Sequence, residues 1–120
     1  ERAKLKVIER FEDIIAWQKG KELTLLVYRA FSSNKDFAFR DQIQRASVSV
    51  MNNIAEGFER KGAKEYARFL YIAKGSAGEV RSMLYLAKEL GYIDDAAFDL
   101  MYKSAEEISK MIAGLIRKIV

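Results

Sequence analysis

The sequence predicts an all-α fold, an antiparallel up-down-up-down four-helix bundle. Three observations carry that expectation. None of the 120 residues is proline, so the strongest helix breaker is absent and long helices can run on without interruption. Four segments place apolar residues at helical spacing, each bounded by a short polar or glycine-containing break. In two of those segments the apolar steps alternate three and four throughout, which holds one stripe against one partner.

Helices are expected at about residues 11–31, 38–56, 63–90 and 95–118, within one domain spanning 1–120. The first ends at Ser32-Ser33-Asn34-Lys35-Asp36, a polar turn. The second offers Phe39, Ile43, Ala46, Val50 and Ile54 to a core, and Gly57 is read as its terminating residue, since glycine tolerates the left-handed conformation. The third begins behind Gly62-x-x-Glu65, half of a capping box. Its seam is Tyr66, Leu70, Ala73, Ala77, Val80, Leu84 and Ala87. Gly75-Ser76-Ala77-Gly78 sits inside it, where glycine costs roughly 1 kcal/mol against alanine. Close helix–helix approach is the expected reason, and Gly20 is read the same way. Leu90-Gly91 ends the third helix. Asp94 caps the fourth, with Ile93 and Phe98 placed as a hydrophobic staple. The fourth seam is Phe98, Met101, Ala105, Ile108, Ile112, Leu115 and Ile119. Short connections make sequential helices antiparallel neighbours.

Some apolar residues fall outside these seams. Leu25-Leu26-Val27-Tyr28 nearly encircles the first helix, and Ile72, Met83, Leu86 and Leu90 form a second stripe on the third. Surplus of this kind predicts a homo-oligomer.

Composition excludes several chemistries. Without Cys or His there is no thiolate nucleophile, no Ser-His-Asp machinery and no imidazole metal ligand. The adjacent carboxylates Asp94-Asp95 and Glu106-Glu107 do not face one another on a helix. No catalytic residue, metal site or cofactor is therefore expected, and the chain is not expected to be an enzyme. The longest apolar run, Phe69 to Ala73, is too short to span a bilayer. Glu1 to Lys6 carries positive charge with no apolar core behind it. A soluble, cytoplasmic protein with no membrane partner is expected.

Net charge is +4, unevenly spread. Residues 1–78 hold 15 basic and 10 acidic groups, residues 79–109 hold 3 and 7, and Lys110, Arg117 and Lys118 close the chain without an acid. Arg60, Lys61, Lys64 and Arg68 make a compact basic cluster at a helix start, a candidate polyanion contact together with Arg45. Tyr66, Tyr71 and Phe58 lie nearby and could stack on bases where exposed, although the seam position of Tyr66 favours the core. The second helix carries a polar row as well. Arg45, Ser49, Asn52 and Glu56 step 4,3,4, with Gln42, Gln44, Ser47 and Asn53 beside them. Ser and Asn are mediocre helix formers, so this row is either a hydrogen-bonding surface or an ordinary solvated face.

The run from Gln42 to Gly57, with Trp17-Gln18-Lys19, Lys64-Glu65-Tyr66, Phe69-Leu70-x-Ile72-Ala73-Lys74-Gly75-Ser76, Glu79 and Leu90-Gly91-Tyr92-Ile93, resembles a known signature. It is that of the bacterial four-helix bundle proteins encoded in intervening sequences of 23S ribosomal RNA genes, and it spans roughly residues 11–118. The resemblance implies a homopentamer, kinship with the accessory proteins of diversity-generating retroelements, and RNA or DNA binding without enzymatic activity. A protein partner such as a reverse transcriptase is its alternative implication. Three positions depart from the family pattern. Gln44 replaces one of two basic residues, Met51 stands where proline is common, and Gly62 stands where serine is common.

Overall fold

The computed structural model describes residues 7–120, and the expectation for the basic stretch 1–6 lies outside them. A short 3-10 turn, Phe11–Asp13, precedes four helices: α1 (Ile15–Phe31), α2 (Phe37–Glu59), α3 (Ala63–Glu89) and α4 (Asp95–Ile119). Helix α2 packs on α1 and α3, and α4 packs on α3 and α1, while no Cα atoms of the diagonal pairs come within 8 Å of each other among the described residues. That cyclic order with short connections is the expected all-α, antiparallel up-down-up-down bundle.

All five apolar residues of the α2 seam are buried, and so are the α3 seam positions from Leu70 to Ala87. Tyr66 is half-buried, its ring edge-on to Phe58 at 5.9 Å. On α4 the expected stripe holds from Phe98 to Ile112 and then slips, so that Ile116 is buried while Leu115 and Ile119 are only partly so. A straight α-helix drifts about 20° per heptad against a 3.5-residue repeat, so the stripe has turned by about 50° between Phe98 and Leu115, roughly half of the step from one residue to the next.

The first helix starts later than expected. Phe11–Asp13 is a separate 3-10 turn, with Ile14 extended behind it. Phe11 folds back edge-on to Trp17 at 5.2 Å. Asp36 caps α2 by accepting from the Phe39 N–H at 3.2 Å. Asp94 caps α4 through the Ala97 N–H at 2.8 Å. Gly91, at φ 76°, ends α3 in a Schellman arrangement, with the Gly91 N–H donating to Lys88 O and the Tyr92 N–H to Ala87 O.

Three glycine expectations are corrected. Gly57 does not end α2, which continues to Glu59. It is buried where α2 meets α3, and a Cβ there would stand 2.7 Å from Phe69 Cβ. Gly62 adopts φ 90° with no side-chain cap, because Glu65 bonds Arg68 instead of turning back. Gly75 makes no close approach among the described residues, since a Cβ there would meet none of them within 4 Å, and Gly78 would meet only Arg81 Nη2 at 3.7 Å. Gly20 does serve close packing, with Met51 Cβ 3.3 Å from its would-be Cβ.

The end of the bundle that holds the α1–α2 turn is closed by a polar clasp over an aromatic layer. Tyr92 donates from its hydroxyl to Asp36 Oδ2 at 2.6 Å. This bond, and secondarily the Phe39 N–H, hold the Asp36 carboxyl below its ordinary value of 3.8. The same bond raises the Tyr92 hydroxyl above 10.0. A lowered carboxyl stabilises the fold above the unfolded pKa, and the contribution is lost as pH falls through the folded value. A raised phenol contributes below the unfolded pKa and loses it as pH rises through the folded value. Tyr92→Phe is therefore expected to be slightly less stable than the parent at neutral pH. The two urea midpoints should converge on acidification below about pH 4. A gap that stayed constant down to pH 2 would show that the charge of the Asp36 carboxylate contributes nothing to it.

Candidate nucleic-acid interface and polar groove

The ten residues singled out from the sequence divide into two places. Arg45 and Arg60 stand fifteen residues apart, about 22 Å along the α2 axis, and do not act as one cluster.

The first place is the turn between α2 and α3. Arg60 closes α2 in an extended conformation, ion-pairs with Glu56 Oε2 at 2.6 Å and lies 4.9 Å from the Phe69 ring. Arg68 reaches the same ring at 4.8 Å and binds Glu65 Oε2 at 3.2 Å. The Arg68 hydrogen bond holds the Glu65 carboxyl below its ordinary range. Both arginines are thus neutralised locally through i,i+4 and i,i+3 pairing. Lys61 and Lys64 are exposed and make no ion pair among the described residues. Exposed pairs are worth only about 0–1 kcal/mol, so a phosphate can compete for either arginine.

The bundle brings a second basic segment to this end. Lys64, Arg68 and Tyr71 on α3 share an open depression with Ile119 and Val120 of α4. Arg117 and Lys118 lie in the last turn of α4. Tyr71 is 60% exposed. Tyr66 and Phe58 are instead half-buried against each other, and burial raises the pKa of the Tyr66 hydroxyl. Of the three aromatics read as stacking candidates, only Tyr71 presents most of its ring.

The second place is a polar groove between α2 and α3, an open depression of about 690 Å³. Its floor is hydrogen-bonded. Ser49 Oγ and Ser76 Oγ lie 2.8 Å apart across the helices. Asn53 Nδ2 donates to Ser49 O at 2.8 Å and to Ser49 Oγ at 3.0 Å. One end is bridged by Gln42 Nε2 donating to Glu79 Oε2 at 2.9 Å. Arg45 and Asn52 line the outer lip, and both are exposed. Glu56 faces away from the groove, towards Arg60. Ser47 is fully buried and satisfied locally, donating to Gln44 O at 2.8 Å.

Ser76 and Glu79 belong to this groove although the sequence marks neither as a site residue. The available signal is positional. They continue the stripe Ile72, Ser76, Glu79, Met83, Leu86, Leu90 at steps of 4,3,4,3,4, so α3 opposes the polar row of α2 with two polar residues of its own. Ile72, Leu86 and Leu90 are 43%, 50% and 51% exposed, and Leu25 and Tyr28 of α1 are each 44% exposed, whereas Met83 packs on the core.

Among the described residues no group of three or more carboxylates converges as a metal site, and no helix is long and apolar enough to cross a membrane. Asp95 is 3.7 Å from Lys88, and Glu107 is 3.5 Å from Lys19.

No curated protein matches the chain. Among solved structures it is similar to a protein of unknown function from the S23 ribosomal protein family of Bacteroides thetaiotaomicron VPI-5482. The TM-score is 0.79 at 24% identity, and the match covers 84% of this chain and 97% of that one. That likeness supports the fold. The profile of the 23S rRNA-intervening sequence protein family matches residues 12–114, helices, groove and basic turn included, and the chain belongs to that family.

Proposed function

We propose that this protein is a cytoplasmic, non-enzymatic bundle that self-associates, as a pentamer in keeping with the resemblance, and binds RNA through the bundle end that holds the α2–α3 turn. The observation that carries this reading is the arrival of the α4 terminus, remote in sequence, beside the basic start of α3. Lys64 and Arg68 share a surface with the last residues of α4, and exposed Tyr71 lies among them. One copy offers few free cations there, because Glu56 and Glu65 occupy Arg60 and Arg68. Several copies side by side would multiply Lys61, Lys64 and Lys118 into a field strong enough to hold a polyanion. Self-association is supported by the exposed apolar residues of α1 and α3 and by Gly75, an open glycine that no contact among the described residues requires.

The test is charge reversal. Lys61→Glu with Lys64→Glu is expected to weaken binding of a labelled structured RNA at least tenfold at low salt, while light scattering gives an unchanged particle mass. Unchanged affinity in that double variant would overturn the assignment of the interface.

A second reading, a scaffold for a protein partner such as a reverse transcriptase, is favoured by one observation. The α3 stripe of Ile72, Leu86 and Leu90 is aliphatic, and nucleic acid has little use for aliphatic surface. Nuclease-resistant co-purification with a protein, in place of RNA, would favour it.

A further inference from the structure

We infer that the α2–α3 groove is a subsite for the sugar–phosphate backbone of RNA and discriminates RNA from DNA through the 2′-hydroxyl. The inference rests on the nucleic-acid reading above and adds a site remote from the basic end.

The chemistry of the groove is selective. It is lined by hydroxyls, carboxamides, one carboxylate and one guanidinium, with Ala46 and Val48 its apolar members and no aromatic ring among the lining residues. A base needs a ring to stack on, and a ribose-phosphate does not. Arg45 makes no ion pair among the described residues although it shares the groove with Glu79. A free guanidinium at a lip is placed to take a phosphate in its planar fork. A 2′-hydroxyl is both donor and acceptor, and so requires partners of both kinds. The groove supplies them. Glu79 commits Oε2 to Gln42 and leaves Oε1 free to accept. Asn53 commits its amide nitrogen to Ser49 and leaves its carbonyl oxygen free. Asn52, exposed and without a hydrogen bond of its own among the described residues, can both donate and accept. Deoxyribose would leave those acceptors facing a C–H.

The floor is also preorganised. The Ser49–Ser76 and Asn53–Ser49 bonds hold three of these side chains before any strand arrives, so little rotamer freedom is lost on binding. From Gln42 to Asn53 the site runs about 16 Å along α2, long enough to track a strand rather than to enclose a single small molecule. The alternative, a contact between copies, would bury Arg45 and Glu79 together with the amides, and Ala46 and Val48 are the only aliphatic residues of the lining.

The experiment uses the full chain and one mixed-sequence single strand made as RNA, as DNA and as 2′-O-methyl RNA, each fluorescein-labelled and titrated by anisotropy at low salt. RNA is expected to bind about tenfold tighter than DNA, with the 2′-O-methyl strand near DNA, because the methyl removes the donor. Asn52→Ala, at an exposed position that leaves the fold intact, should narrow the RNA preference to about threefold or less with DNA affinity unchanged. Arg45→Ala should weaken both strands by a similar factor. Equal affinity for RNA and DNA overturns the inference and leaves the basic-end reading standing. Loss of all three strands even at low salt overturns both. A change of particle mass in Arg45→Ala or Asn52→Ala, with RNA affinity intact, assigns the groove to contact between copies and overturns the inference alone.

Discussion

Phe39→Ala is expected to lower the stability of the bundle by about 3–5 kcal/mol, the usual cost of removing a buried aromatic. Phe39 is 7% exposed and joins three elements at one end of the molecule. Its ring lies 5.6 Å from that of Phe31 at the end of α1 and 5.3 Å from that of Tyr92 beyond α3. Its own N–H is the donor that Asp36 accepts. Deleting the ring leaves a cavity beneath the Tyr92–Asp36 bond and frees the α1–α2 and α3–α4 turns from each other. Phe39→Leu, which keeps most of the volume, should retain more than half of that stability. Urea unfolding by circular dichroism separates the two. A Phe39→Leu variant as stable as the parent would mean that the ring contacts contribute nothing beyond apolar burial, and equal losses in both variants would contradict the volume argument.

Gly57→Ala is the second large expectation, about 1–3 kcal/mol destabilising even though alanine is the better helix former. The added carbon would stand 2.7 Å from Phe69 Cβ and 3.2 Å from the Tyr66 carbonyl oxygen. Neither neighbour is the free end of a flexible chain, so α2 and α3 must move apart there. Gly75→Ala is the matched opposite. Its surroundings are empty of the described residues, so it should gain roughly 0.5–1 kcal/mol from reduced backbone entropy. Thermal unfolding should displace the two variants in opposite directions. A stabilised Gly57→Ala would contradict the close packing of α2 on α3. A Gly75→Ala variant that unfolds as the parent does but no longer self-associates would place a second copy against that glycine.

The contrast between these glycines also shows how much of the fold was legible in the residues. The seams were readable because 3,4 spacing is a property of one helix, and α2 and α3 bury the stripes their spacing marks. Gly91 and Asp94 were readable because caps are local. Gly57 was not, since the same residue serves either a left-handed turn or a close approach, and only the position of Phe69 decides between them. Gly75 misleads for the converse reason, because nothing in α3 alone shows that its outer side faces away from the other helices.

The candidate site follows the same division. Its members on α2 were visible as a polar row, but Ser76 and Glu79 join them only through the register between α2 and α3. The basic cluster was visible as a run of charges, and its partial neutralisation was open to view in the spacing of Glu56 to Arg60 and Glu65 to Arg68. What no local pattern contains is the placement of the α4 terminus beside Lys64 and Arg68. That placement turns an ordinary helix-end charge pattern into part of a surface.

The most direct measurement is the affinity of the protein for a single-stranded RNA across a salt series, read by fluorescence anisotropy. Each neutralised phosphate on a single strand contributes about −0.7 to the slope of log affinity against log salt. Contacts from Lys61, Lys64 and Arg45 of even one copy predict a slope of roughly −2, steeper if several copies share the strand. Absence of binding at low salt, or a slope near zero, would contradict the proposal that this bundle is an RNA-binding protein.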